Sequence, residues 1–392
     1  MVPELRKQFN ANFKPEQYAR FLARLDERCG THINFRNCET PCFFPKELLN
    51  RTAQAGADLA HQLVGNPAYL AAADAQIPPE FLVPGVDDRP LFIQADFGLI
   101  KDSNGSYQPR LVEIQGFPSL YAYQVELANT YAEVYGFDYP HLLEERSDEA
   151  YFRFLRETLL NGHDPENVVL LEIDPWQQKT LGDFILTNRY CGLPIVDIRD
   201  VRKRGNKLFY PSNGREIPIH RIYNRVIVDE LVRKQVPLAF DLRDELEVEW
   251  AGHPNWFFRI SKFSLPYLNH PSVPRSQFLN EVTELPAPPE QLVLKPLFSF
   301  AGLGVIVGPT KEEIAAVPAD QRHAYLLQER VRFEPVIETP FGMTNAEIRI
   351  MYIWRESLQP ITTIIRMGRG KMMGVDHNKN LEWVGASAGF SI

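Results

Sequence analysis

Gln291-Leu-Val-Leu-Lys-Pro-Leu-Phe-Ser-Phe-Ala-Gly-Leu-Gly-Val305 reads as a β-strand that ends in a lysine and runs straight into a glycine-bearing turn. The aliphatic run 292–294 has the composition of a buried strand, and Pro296 lacks the N–H a ladder needs, so pairing is expected to end there. Gly302 and Gly304 let the backbone approach a ligand closely and turn its N–H groups toward an anion, with the Lys295 charge beside them and Ser299 opening the turn. Residues 305–307 then resume a strand. This order suits a lid folded over phosphates. An ordinary β-hairpin carrying a surface lysine fits the same residues, so the choice falls to the flanking sequence.

Composition narrows the classes. A chain of 392 residues is expected to hold two or three domains with ample apolar material for cores. Its 42 Lys+Arg against 50 Asp+Glu give a net charge of −8, which argues against a general nucleic-acid surface and leaves room for a locally basic pocket. Residues 1–25 carry charges throughout, and no run approaches the ~18 apolar residues of a membrane span, so a soluble, cytoplasmic protein is expected. Four cysteines are too few for a disulfide framework. Cys38 and Cys42 share a Cys-x-x-x-Cys spacing without a second Cys/His pair, so ordinary thiols are expected there.

Upstream, residues 15–28 and 46–64 show helical periodicity. A proline-rich turn leads to Arg89-Pro-Leu-Phe-Ile-Gln-Ala-Asp-Phe-Gly-Leu-Ile100, and Asp102-Ser-Asn-Gly105 turns the chain into Pro109-Arg-Leu-Val-Glu-Ile-Gln115, a hairpin by its turn chemistry. Period-2 alternation puts Gln94 and Asp96 on one face of the first strand and Glu113 and Gln115 on one face of the second. If the register aligns those faces, two carboxylates and two amide oxygens converge. Such hard oxygen donors suit Mg²⁺, although a solvated outer face fits the same alternation. A helix is expected over 124–134.

The middle of the chain reads as strand 167–173, helix 179–189, strand 193–198, and a hairpin of 207–210 with 217–223, a small βαβ unit with an antiparallel addition. Arg221 and Arg225 are candidates to clamp an anion, although ordinary surface or ion-paired arginines are the more common outcome for such residues. Further on, Lys262 falls near a helix and 324–331 forms an apolar strand ending in polar groups. Strand 345–354 follows with Glu347 and Arg349 on one face, and strand 359–366 is closed by Arg366. The tail 374–389 reads as a polar loop with small residues.

Lys262 with Val273-Pro274, Leu294-Lys295-Pro296 and its glycine turn, Gln328-Glu329-Arg330-Val331, Glu347-Ile-Arg349, Arg366 and Asn378 resemble the successive nucleotide-binding motifs of the ATP-grasp superfamily. Asp96 and Glu113-Ile-Gln115 stand at the front of the chain, an arrangement similar to circularly permuted ATP-grasp proteins, including the synthetase domain of glutathionylspermidine synthase. The resemblance implies an α/β (α+β) chain: an ATP-grasp fold in permuted order with a small βαβ pre-ATP-grasp-like domain. Residues 1–145 would hold N-terminal helices and the metal-binding part, 146–240 the substrate domain, and 241–392 the nucleotide-binding part with its lid.

It also implies roles. Lys262 and Lys295 would hold nucleotide phosphates, the Ser299, Gly302 and Gly304 turn would cover them, and Gln328, Glu329 and Val331 would form the adenine hinge, with Asn378 nearby. Asp96, Glu113 and Gln115 would be Mg²⁺ ligands, while Arg366, Arg349 and Lys295 would act on the transferring phosphate. The chain departs from the pattern twice. Gln115 replaces an asparagine, and Gln94 replaces a catalytic arginine, so that either Arg89, Arg221, Arg225 or Arg349 substitutes or the chemistry is impaired. The implied activity is an ATP- and Mg²⁺-dependent carboxylate–amine ligase passing through an acyl phosphate, with amino acid, peptide or polyamine substrates. A catalytically silent ATP-binding scaffold or sensor and a small-molecule kinase remain the alternatives.

Overall fold

The computed structural model describes residues 1–144, 146–298, 303–370, 373, 374, 378 and 380–392, with Asp229 described by its backbone alone. Ser299 and Gly302 lie outside the described residues. The architecture is mixed α/β, with four sheets among the described residues.

In the first third, helices Pro3–Asn12 and Pro15–Cys29 precede strand β1 (Cys42–Phe44), helices Lys46–Val64 and Pro67–Asp74, the hairpin β2 (Phe92–Lys101) and β3 (Tyr107–Gln115), and helix Tyr123–Tyr135. Proline opens the second helix and Gly30 closes it at φ +70°, which is why the periodic reading of 15–28 is nearly correct. Gly105, at φ +77°, turns the hairpin.

The middle third contains helix Asp148–Leu160, β4 (Val168–Glu172), helix Leu181–Cys191, β5 (Ile195–Asp197), β6 (Arg202–Arg204), β7 (Lys207–Ser212), β8 (Arg215–Ile219), β9 (Arg221–Asn224), helix Val228–Lys234 and β10 (Glu249–Ala251). The run 217–223 does not make one strand. It breaks at His220, so that β8 completes an antiparallel β6-β7-β8 sheet while β9 enters a parallel β10-β9-β4-β5 sheet. β10 belongs to that sheet and lies past residue 240.

The last third supplies β11 (Ser276–Phe278), β12 (Leu292–Pro296), β13 (Ile306–Val307), β14 (Tyr325–Glu329), β15 (Ile337–Thr339), β16 (Gly342–Trp354), β17 (Leu358–Gly368) and β18 (Gly385–Ser391). The expected loop 374–389 is overturned at its end, because β18 is a buried strand set between β1 and β17. Small residues are required there. A β-carbon on Gly389 would stand 2.5 Å from Thr363 Oγ1, and one on Gly385 would stand 2.5 Å from the Arg36 carbonyl.

The large sheet runs β1-β18-β17-β16-β2-β3, with β15 added to β16. Strands from both ends of the sequence therefore share one ladder. Ile93, Ala95, Phe97, Ile348, Ile350 and Tyr352 cover one face with a core that includes helix Lys46–Val64. Gly56 of that helix lets the Tyr352 ring approach, and the Tyr352 hydroxyl donates to the Ala53 carbonyl at 2.7 Å. The opposite face carries the polar members of the alternation. β11-β14-β12-β13 forms a separate antiparallel sheet, with Pro296 as the last paired residue of β12 opposite Tyr325.

Candidate functional site

The hairpin register aligns the two polar faces. Gln94 lies opposite Gln115, and Asp96 opposite Glu113 with an irregularity just beyond it, while Arg349 of β16 pairs with Asp96 from the other side. One rung over, Arg366 of β17 lies opposite Glu347, which in turn faces Gly98. Charges of opposite sign thus stand directly across the ladder, where cross-strand pairs interact most strongly.

Glu113, Gln115, Glu347, Arg349 and Arg366 line a cavity of about 690 Å³ between the large sheet and the β11-β14-β12-β13 sheet, while Gln94 and Asp96 are buried outside its lining. That size is in the range of small-molecule sites. From the smaller sheet come Val293, Lys295 and Gln328, and Lys262 enters from the 3-10 segment Lys262–Tyr267. Lys295 is buried and donates to the Val112 carbonyl of β3 at 2.9 Å. The surface-lysine reading of this strand is thereby overturned. Lys262 Nζ stands 4.0 Å from Glu113.

Burial, countered in part by Glu113, lowers the Lys295 pKa to about 8. Glu347 is pushed up to about 7, because burial outweighs the help it receives from Arg366. Burial alone would also raise Asp96, but Arg349 and Arg366 together hold it below the usual carboxylate range.

Arg349 engages Asp96 in two-point geometry, Nε to Oδ1 at 2.5 Å and NH2 to Oδ2 at 2.7 Å, and its NH1 donates to Gln94 Oε1 at 3.0 Å. Gln94 Nε2 donates to the Ser119 carbonyl at 2.8 Å. Arg366 also donates to Asp96 and ion-pairs with Glu347. Of the four arginines considered for the place left by Gln94, only Arg349 lines the cavity. Arg221 is buried against Glu249 at 2.6 Å and Arg225 against Asp183 at 3.3 Å, so the anion-clamp reading of that pair gives way to structural ion pairs.

Gln328 and Val331 line the cavity, and Glu329 on the alternate face does not. Gln328 is buried, and its Nε2 has no partner among the described residues, so a hydrogen-bond acceptor in the cavity would satisfy it. Asn378 engages backbone instead: its Oδ1 accepts from the N–H groups of Arg369 and Gly370 and its Nδ2 donates to the Gly374 carbonyl, each at 3.2 Å. Gly304 adopts φ +73°, and a β-carbon there would lie 2.9 Å from the Pro296 ring.

Sequence reasoning passed over Phe35, Phe117, Ser119, Lys179, Phe257 and Phe333, which also line the cavity. Only Phe117 and Ser119 offered a signal, by following Gln115 directly.

The donor set does not fit the expected magnesium ion. Mg²⁺ asks for unengaged oxygens at octahedral positions. Asp96 gives both of its oxygens to guanidinium groups, and Glu347 faces Arg366. Of Asp96, Glu113 and Glu347, Glu113 is the one left, with Arg349 NH2 at 3.9 Å and a long 3.5 Å contact from Gln115 Nε2. Among the described residues no group of three or more His, Cys, Asp or Glu side chains is disposed to hold a metal. The described lining carries seven cations, Lys179, Lys262, Lys295, Arg330, Arg332, Arg349 and Arg366, against three carboxylates, Glu113, Glu290 and Glu347, with Asp96 buried against the last two arginines. The surplus is positive and favours an anion.

All four cysteines are buried free thiols. No helix among the described residues is long and apolar enough to cross a membrane.

No family model and no curated protein matches the chain. Solved structures do match. A glutathione synthetase-like effector from Globodera pallida, in its apo form, superposes with a TM-score of 0.63 at 10% identity, over 96% of each chain. The two proteins share a fold.

Proposed function

We propose, from this shared fold and the cation-lined cavity, that the chain binds ATP and activates a carboxylate for ligation to an amine. The observation that carries the reading is the convergence of buried Lys262 and Lys295 with Arg349 and Arg366 on one cavity with a positive surplus. Polyphosphate suits that surplus. Gln328, with its unpartnered Nε2, offers a donor to adenine.

In this reading a carboxylate oxygen bonds to the γ-phosphorus while the bond from that phosphorus to the bridging oxygen breaks, and ADP leaves. An amine then attacks the acyl carbon, the acyl C–O bond breaks, phosphate departs and the amine loses a proton. Buried Lys295 and half-buried Arg366 counter the charge that spreads over the transferring phosphoryl group, where low dielectric strengthens their effect. Arg349 takes up the position near Gln94 and orients Asp96. No step passes through magnesium. The front-to-back sharing of the large sheet supports a permuted order of the ATP-grasp parts.

A second reading, a nucleotide-binding protein without turnover, is favoured by the pairing of Asp96 with two arginines. Incubating the pure protein with ATP and pooled amino acids, polyamines and short peptides separates the readings. Equal amounts of ADP and phosphate with a ligated product support the ligase, ADP with a stable phosphorylated product indicates a kinase, and retained ATP binding without hydrolysis indicates the silent binder. AMP and pyrophosphate as products overturn the mechanism.

A further inference from the structure

We infer that Arg349 is an internal replacement for the divalent cation, so that this cavity holds nucleotide phosphates without metal. The ligand rests on the nucleotide reading above, whereas the engagement of Asp96 by Arg349 is independent of it. The Arg349 guanidinium occupies both Asp96 oxygens, touches Gln94 and stands 3.9 Å from Glu113. It therefore sits among the donors that a metal bridging Asp96 and Glu113 would have to contact. Arg366 reinforces the block from the neighbouring strand, and Asp96 is fully buried, so it cannot turn its oxygens to solvent.

The backbone fixes this arrangement. Arg349 and Asp96 are register partners on β16 and β2, and Asp96 and Glu113 are register partners on β2 and β3. A planar guanidinium on the central strand meets a carboxylate on the next one in two-point geometry, an arrangement a lysine could not reproduce. Gln94 and Gln115 are neutral, so they add no charge to attract a dication. A nucleotide approaching from the cavity meets the outer edge of Arg349 together with Lys262 and Lys295, three positive charges already in place.

Two measurements on the full chain test this. The first is manganese binding to the nucleotide-free protein, read by electron paramagnetic resonance. Wild type is expected to bind no stoichiometric Mn²⁺, and Arg349→Ala to gain a site that Asp96→Asn in the same chain removes. The second is ATP binding by calorimetry, in EDTA and in magnesium. Wild-type affinity is expected to change less than about threefold between the two, while Arg349→Ala weakens about tenfold or more in EDTA and recovers with magnesium. Arg349→Lys, which keeps a charge but loses the fork, is expected to fall between them and serves if the alanine variant does not fold. Stoichiometric Mn²⁺ on wild type that Asp96→Asn abolishes, or wild-type ATP binding that falls more than about tenfold in EDTA, overturns the inference. Absence of ATP binding under both conditions sinks the nucleotide reading, while the manganese result still decides whether the Asp96 site accepts a metal.

Discussion

Lys295 sets binding against stability within one side chain. Its ammonium is buried and its pKa is lowered to about 8, below the ordinary 10.5, so the unfolded chain holds this proton more tightly than the native one. Stability from this group therefore rises as pH climbs from about 8 to 10.5, and below that window the buried charge costs the fold. Lys295→Met is expected to abolish ATP binding while leaving stability at pH 7 unchanged or raising it by on the order of 1–3 kcal/mol, as measured by denaturant unfolding beside calorimetry. ATP affinity of wild type should decline above about pH 8 as the ammonium loses its proton. Glu347 behaves oppositely. Its folded pKa is raised from 4.5 to about 7, so the native state binds the extra proton and stability falls as pH rises across that interval. Glu347→Gln should remove the decline and stabilise the protein at pH 8 by on the order of 2 kcal/mol. An unchanged pH–stability curve would contradict the burial argument for either residue.

At the scale of elements, two glycines give opposite expectations. A β-carbon on Gly116, at the end of β3, would stand 2.7 Å from the Trp256 carbonyl oxygen, a backbone atom that cannot swing away. Gly116→Ala is expected to cost about 1–3 kcal/mol and lower the melting temperature, because it pries β3 from the segment that leads to Lys262. On β2, a β-carbon on Gly98 would stand 2.7 Å from the Phe333 ring, a side chain that lines the cavity. Gly98→Ala should shift that ring, weakening ATP binding several-fold with a smaller effect on melting. The strands that carry these positions were legible because polar and apolar residues alternate over 93–97 and the Asp102-Ser-Asn-Gly105 turn is explicit. β18 was not, because Gly385-Ala-Ser-Ala-Gly389 lacks β-branched residues, its smallness being imposed by Arg36 and Thr363 from distant positions. The destinations of Arg221 and Arg225 were hidden for a similar reason, since Glu249 and Asp183 become neighbours only after folding.

For the whole molecule, the first and last thirds form one ladder, with β2 beside β16 and β1 beside β18. Deleting residues 385–392 removes an interior strand and leaves β1 without its partner, so the shortened chain should lose cooperative unfolding rather than shed a peripheral piece. Amide exchange offers a check. Residues 93–99 and 348–353 are expected to open together, at the same free energy, and separate opening of the two would show that the ends of the chain fold independently. The interleaving also bears on biosynthesis. The β2–β3 hairpin emerges from the ribosome long before its β16 partner has been translated, with one edge unpaired and apolar side chains uncovered. Vectorial folding cannot complete this sheet, so the nascent hairpin must be shielded by chaperones or by transient non-native contacts until the final strands are released.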